Sequence, residues 1–111
     1  MKIENHDNFV VFEDEQNNFE KFASFLEFQI PNKFKNQNVI VNLLANKELS
    51  LDNLLFFLKV SNIHRATKHS FVIINDAINP DDLPDEMTIV PTLQEAGDIV
   101  EMEDIERELG F

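Results

Sequence analysis

The sequence predicts an α/β fold: a mixed, mostly parallel sheet of about five strands with three to four helices. Three observations carry that prediction. Short, fully apolar runs rich in β-branched and aromatic residues recur at residues 9–11, 39–41 and 71–74, each short enough to be a strand covered on both faces. Segments with helical spacing separate them, and strands that alternate with helices pair in parallel through crossovers. The chain has 111 residues, which suits one domain over residues 1–111.

At the N-terminus Lys2 and Ile3 read as a short first strand, residues 5–8 as a turn and residues 9–12 as a second strand. The triplet Phe9, Val10 and Val11 gives that second strand a central place in the sheet. Asn17 or Asn18 is expected to cap the helix that follows. In it Phe19, Phe22, Ala23, Leu26 and Ile30 recur at helical spacing, Phe25 and Phe28 widen the stripe, and Pro31 marks the end. Phe supplies 11 residues while Trp and Tyr are absent, so the stripe reads as core.

The stretch from 38 to 58, NVIVNLLANKELSLDNLLFFL, organises the rest of the chain. A strand passes through a polar loop, and Ser50 then opens a helix. Leu51, Leu54, Leu55 and Leu58 form one stripe of that helix, while Phe56, Phe57, Val60 and Ile63 spread apolar surface around it. Such a helix is either deeply buried or partly exposed at a protein interface. A strand handing over to a helix start also turns backbone N–H groups and the positive end of the helix dipole outward, where α/β proteins commonly bind.

His64, Arg65, Lys68 and His69 form a small basic cluster, favourable at a helix C-terminus. On a continuing helix the two histidines would point about 140° apart. Residues 75–86 hold two prolines and five acids and read as a loop with room for one helical turn. Residues 87–90 give the last strand, and Thr92 with Glu95 makes a capping box that starts the final helix. There Leu93, Ala96 and Val100 fall on one face but Met102, Ile105 and Leu109 on another, which predicts a bent helix or two short ones.

The residue types exclude more chemistry than they offer. No cysteine is present, which removes disulfides, thiolate metal sites and cysteine nucleophiles. His6, His64 and His69 follow no metal-ligand spacing, the four serines sit in no GxSxG elbow, and Gly97 with Gly110 makes no phosphate loop. Asp76, Asp81, Asp82, Asp85 and Glu86 lack the regular spacing and glycine of a calcium loop. Neither an enzyme nor a cofactor is therefore expected.

The net charge is −12, and residues 76–111 hold twelve acids against one base, Arg107, whereas residues 1–75 hold nine acids and eight bases. That acidic third reads as a solvated face or as a docking face for a basic partner, and it disfavours direct nucleic-acid and membrane binding. The N-terminus shows no apolar signal core, and the longest apolar run, residues 54–58, is too short to span a bilayer. A cytoplasmic protein is expected.

The 38–58 stretch resembles the core of the STAS domain family, the fold of anti-sigma factor antagonists and of sulphate-transporter C-terminal domains. That family has an apolar strand, an Asp-Leu opening a loop, and Asp-Ser-Ser-Gly-Leu opening an apolar helix. Laid on this sequence without gaps, Asn42 stands at the loop Asp, Ser50 at the motif Asp and Leu51 at the phosphorylated Ser. Asp52 then stands at the second Ser, Asn53 at the Gly and Leu54 at the Leu. The segment MTIVPTLQEAGDIV is similar to the family's last strand, its Pro-Thr and a helix with Glu-Ala, here Glu95 and Ala96. The resemblance implies a single STAS-like domain that docks a protein partner through the helix start and neighbouring loops.

Leu51 lacks the hydroxyl that the family phosphorylates, so the usual switch is not expected there. Ser50 is the neighbouring candidate phosphosite, although as an N-cap its hydroxyl is committed to a backbone N–H. Asp52 sets a fixed negative charge in the first turn, where a phosphate would otherwise bring one. The chain also resembles short STAS-like proteins that can sit beside the tRNA 3′-processing nuclease ribonuclease Z and sometimes borrow its name. The HxHxDH zinc ligands of that nuclease are missing and the charge is wrong for RNA. The leading expectation is thus a non-enzymatic regulatory module with a protein partner; the alternatives are a ribonuclease Z-associated accessory protein and a homodimer formed through the central helix.

Overall fold

In the computed structural model, which describes residues 1–14 and 18–110, the chain forms five strands and four α-helices. In order these are β1 (Lys2–Asn5), β2 (Val10–Glu13), α1 (Phe19–Lys33), β3 (Val39–Asn42), α2 (Leu51–Leu55), α3 (Leu58–Arg65), β4 (Phe71–Ile74), β5 (Thr88–Val90) and α4 (Leu93–Glu108), with a 3₁₀ turn at Pro80–Asp82. The strands lie in the order β1-β2-β3-β4-β5; β1 is antiparallel to β2 and the other pairs are parallel. The predicted mixed, mostly parallel sheet is present, with β2 at an interior position.

The apolar triplets are continuous because both faces of the sheet are covered. Val10, Phe12, Val39, Val41, Phe71 and Ile73 point to one face, where they meet Phe22, Leu26 and Ile30 of α1 and Leu54, Phe57 and Val60 of the central helices. Val11, Ile40, Val72 and Ile74 point to the other face and meet Ala96 and Val100 of α4. Every crossover between parallel strands lies on the first face, since Ile78 and Leu83 of the β4–β5 connection also pack there. Among the described helices α4 alone covers the second, where Phe9 and Leu44 also pack.

Asn18 is the cap of α1, its side chain accepting from the Lys21 N–H at 3.0 Å; Asn17 lies outside the described residues. The helix runs past Pro31 to Lys33. A proline so close to the end forfeits a single backbone bond, the one to the Glu27 carbonyl, and the Asn32 side-chain amide donates to the neighbouring Phe28 carbonyl at 2.7 Å.

The central helix differs from its sequence pattern. It is two short helices, α2 and α3, separated at Phe56 and Phe57, whose N–H groups donate to Asn53 and Leu54 three residues back. The tighter turn sends Leu54 and Phe57 inward and leaves Leu55 and Phe56 outward. The buried stripe is therefore Leu54, Phe57, Val60, Ser61 and His64 rather than Leu51, Leu54, Leu55 and Leu58. Helices of 5 and 8 residues are unstable alone. Burying Leu54 and Phe57, at roughly 1.5–3 kcal/mol each, holds them on the sheet, and Phe57 meets Phe22 edge to face at 5.8 Å.

α4 is one helix, neither two nor interrupted at Gly97. Thr92 caps it by accepting from the Glu95 N–H at 3.1 Å. Its apolar inner face ends at Val100; beyond that the inward residues are Glu103, Asp104 and Arg107, and Met102, Ile105 and Leu109 are exposed.

Candidate functional site

The C-terminal edge of the sheet is built around two asparagines. Asn42, at the end of β3, accepts the Leu44 N–H at 3.0 Å and turns the chain into the loop toward α2. Asn75, directly after β4, is buried; its amide donates to the carbonyls of Leu43 at 2.9 Å and Asn46 at 3.1 Å, and its oxygen accepts the Ala77 N–H at 2.9 Å. One side chain thus fixes the loops after β3 and β4 against each other. Lys47 and Asp76 add an exposed ion pair at 3.2 Å over the same junction, an arrangement worth at most about 1 kcal/mol.

That loop delivers the chain to α2. Ser50 Oγ accepts the Asn53 N–H at 3.2 Å and donates to Asn53 Oδ1 at 2.8 Å, and Asn53 Oδ1 accepts the Ser50 N–H at 3.1 Å. This is a capping box with Asn in the place usually held by Glu or Gln, so its sequence signature is weak. Both hydrogen-bonding capacities of the Ser50 hydroxyl are in use. Leu54 is fully buried and anchors the helix. Of the six motif positions, Leu51 and Asp52 are the two exposed ones that take no part in the capping box. With five residues, α2 offers the dipole of little more than one turn, far less than one continuous helix would.

An apolar patch lies on the outward side of this helix pair. Leu51, Leu55, Phe56 and Ile63 are 37%, 41%, 40% and 41% exposed. The first three sit within two turns of the capped start.

The opposite edge of the sheet is closed by a polar network. Asn38 is buried just before β3; its amide donates to the Asn8 carbonyl and the Asp104 carboxylate, and its oxygen accepts the Ser70 N–H at 2.8 Å and Arg107 at 3.3 Å. Arg107 also binds Asp104 and Ser70, while Glu103 takes Ser70 and Arg65. Burial pushes the Asp104 carboxyl upward, but hydrogen bonds from Arg107, Asn8 and Asn38 outweigh it and hold the group below its ordinary value.

His64 is buried beside this network and donates from Nε2 to the Gln37 carbonyl at 2.6 Å. Burial lowers its pKa, helped by the neighbouring His69 and opposed by the bond to Gln37. The expectation that the two histidines diverge is overturned. α3 ends at Arg65 and Lys68 takes a left-handed φ of 65°, which folds the chain back and brings the rings to 5.9 Å.

Strand order is monotonic, so among the described strands no point exists where crossovers diverge to opposite faces and open the crevice that α/β proteins use for small ligands. Among the described residues no group of three or more His, Cys, Asp or Glu is placed to hold a metal ion, and no helix is long and apolar enough to cross a membrane. No protein-family model matches the chain, and no curated protein matches it either.

Proposed function

We propose that this chain is a non-catalytic protein-interaction module resembling the anti-sigma factor antagonists, which docks a protein partner through the outward side of α2 and α3. The observation that carries this reading is the patch of Leu51, Leu55, Phe56 and Ile63 beside the capped helix start. Four large apolar side chains, each more than a third exposed along α2, its end and α3, are what a partner desolvates. The monotonic strand order supports a surface reading over a small-molecule pocket.

Docking here is constitutive in this reading. Leu51 offers no hydroxyl to modify, Ser50 is bound to Asn53 on both sides, and Asp52 keeps a permanent negative charge on the first turn. Retention of a partner from native cell extract by the wild-type chain, and its loss with Leu55→Asp, tests the face. Because Leu55 is exposed, that variant should fold. Asp52→Ser should weaken retention if the fixed charge contributes, and unchanged retention would remove the charge from the account. Intact mass after incubation with extract and ATP should show no phosphate, whereas stoichiometric phosphate on Ser50 would replace constitutive docking with a switch.

A further inference from the structure

The C-terminal half of α4 is amphipathic in the wrong sense for a helix whose only task is to cover a sheet. Its inward side chains there are Glu103, Asp104 and Arg107, held by Asn38, Ser70 and Arg65. Its outward ones are Met102 and Ile105, followed by Leu109 at the C-cap, and they are 49%, 50% and 68% exposed. The polar network fixes the rotation of the helix, so this apolar seam cannot turn inward. Solubility alone would favour the reverse placement.

Spacing and charge together define what fits the seam. Met102, Ile105 and Leu109 follow the three-then-four step of a coiled-coil a-d-a seam, and the flanking g, e and g positions are Glu101, Glu106 and Glu108. Arg107, the one base of α4, is engaged inward with Asp104. A second copy of this chain would bring glutamate against glutamate in either helix orientation.

We propose that the outward face of α4 docks a basic amphipathic helix, one with an apolar stripe flanked by Lys or Arg. This surface lies on the sheet face opposite α2 and α3 and is independent of the patch described above.

The test is titration of the full chain with two synthetic helices about three heptads long. Both carry Leu at a and d; one has Lys and the other Glu at e and g. Binding is followed by calorimetry and by the methyl resonance of Met102. The Lys helix should bind at least about tenfold tighter than the Glu helix at low salt, with the gap narrowing as salt rises. A Met102→Ser/Ile105→Ser variant, which keeps every acid and alters only half-exposed positions, should bind the Lys helix about tenfold more weakly and keep the wild-type amide spectrum. Failure of the Lys helix to bind, equal binding of the two helices, or undiminished binding by the double variant would each overturn the proposal. So would self-association of the wild type that the double variant abolishes.

Discussion

Asn75 reaches back across the sheet edge to Leu43: its Nδ2 donates to the Leu43 carbonyl at 2.9 Å while the Leu43 N–H donates to the Ile74 carbonyl at the same distance. The ends of β3 and β4 are thereby locked together just ahead of the loop that positions Ser50. The proposed docking patch depends on this lock, because α2 is too short to hold its own place.

Asn75→Ala removes the donor to two carbonyls and the acceptor of the Ala77 N–H. Stranded buried polar groups put the cost at about 2–3 kcal/mol. Urea unfolding should report that loss, and amide exchange in the 43–47 loop should quicken more than in β2. A loss confined to a few tenths of a kcal/mol would mean that the loop is held by other contacts.

Ser61 is 1% exposed and its hydroxyl is the one buried side-chain polar atom without a partner among the described residues. Ser61→Ala removes that uncompensated group and improves helix propensity, so the variant should be more stable by about 1 kcal/mol. Thermal or urea midpoints measure this. A destabilised variant would reveal a hydrogen bond that the hydroxyl makes in solution.

His64 makes stability depend on pH in a stated direction. Its folded pKa lies below the ordinary 6.5, so between those two values the unfolded chain binds the proton that the folded chain refuses. Stability therefore falls as pH drops below about 6.5. Asp104 acts in a lower window: its folded value is depressed below 3.8, so its contribution is present above 3.8 and is lost as pH falls through the folded value. Unfolding free energies measured from neutral pH down to about pH 5 should decline more steeply for the wild type than for His64→Gln. Parallel profiles would exclude His64 as the cause.

How far the sequence could be read follows from which interactions are local. The strands were legible because covering both faces forces unbroken runs such as residues 71–74, and the caps at Asn18, Ser50 and Thr92 lie within three residues of their partners. The split at Phe56 was not legible, since a segment apolar on every side gives its period no face to mark. Asn38 and Asn75 look like turn residues in sequence; their partners lie as far as 66 and 69 residues away for Asn38 and about 30 for Asn75. The displaced stripe of α4 was visible in Met102, Ile105 and Leu109, but its cause, a polar anchor on the inner face, needed the packed structure.

The most direct test of the proposed function is site-specific photocrosslinking in native extract. A photoreactive phenylalanine analogue replaces Phe56 in one version of the chain and Ile3, equally exposed on edge strand β1, in another. The account predicts a single protein adduct from position 56 that is absent from position 3 and abolished by Leu55→Asp. Adducts of equal yield from both positions, or an adduct at position 56 that survives Leu55→Asp, would contradict it.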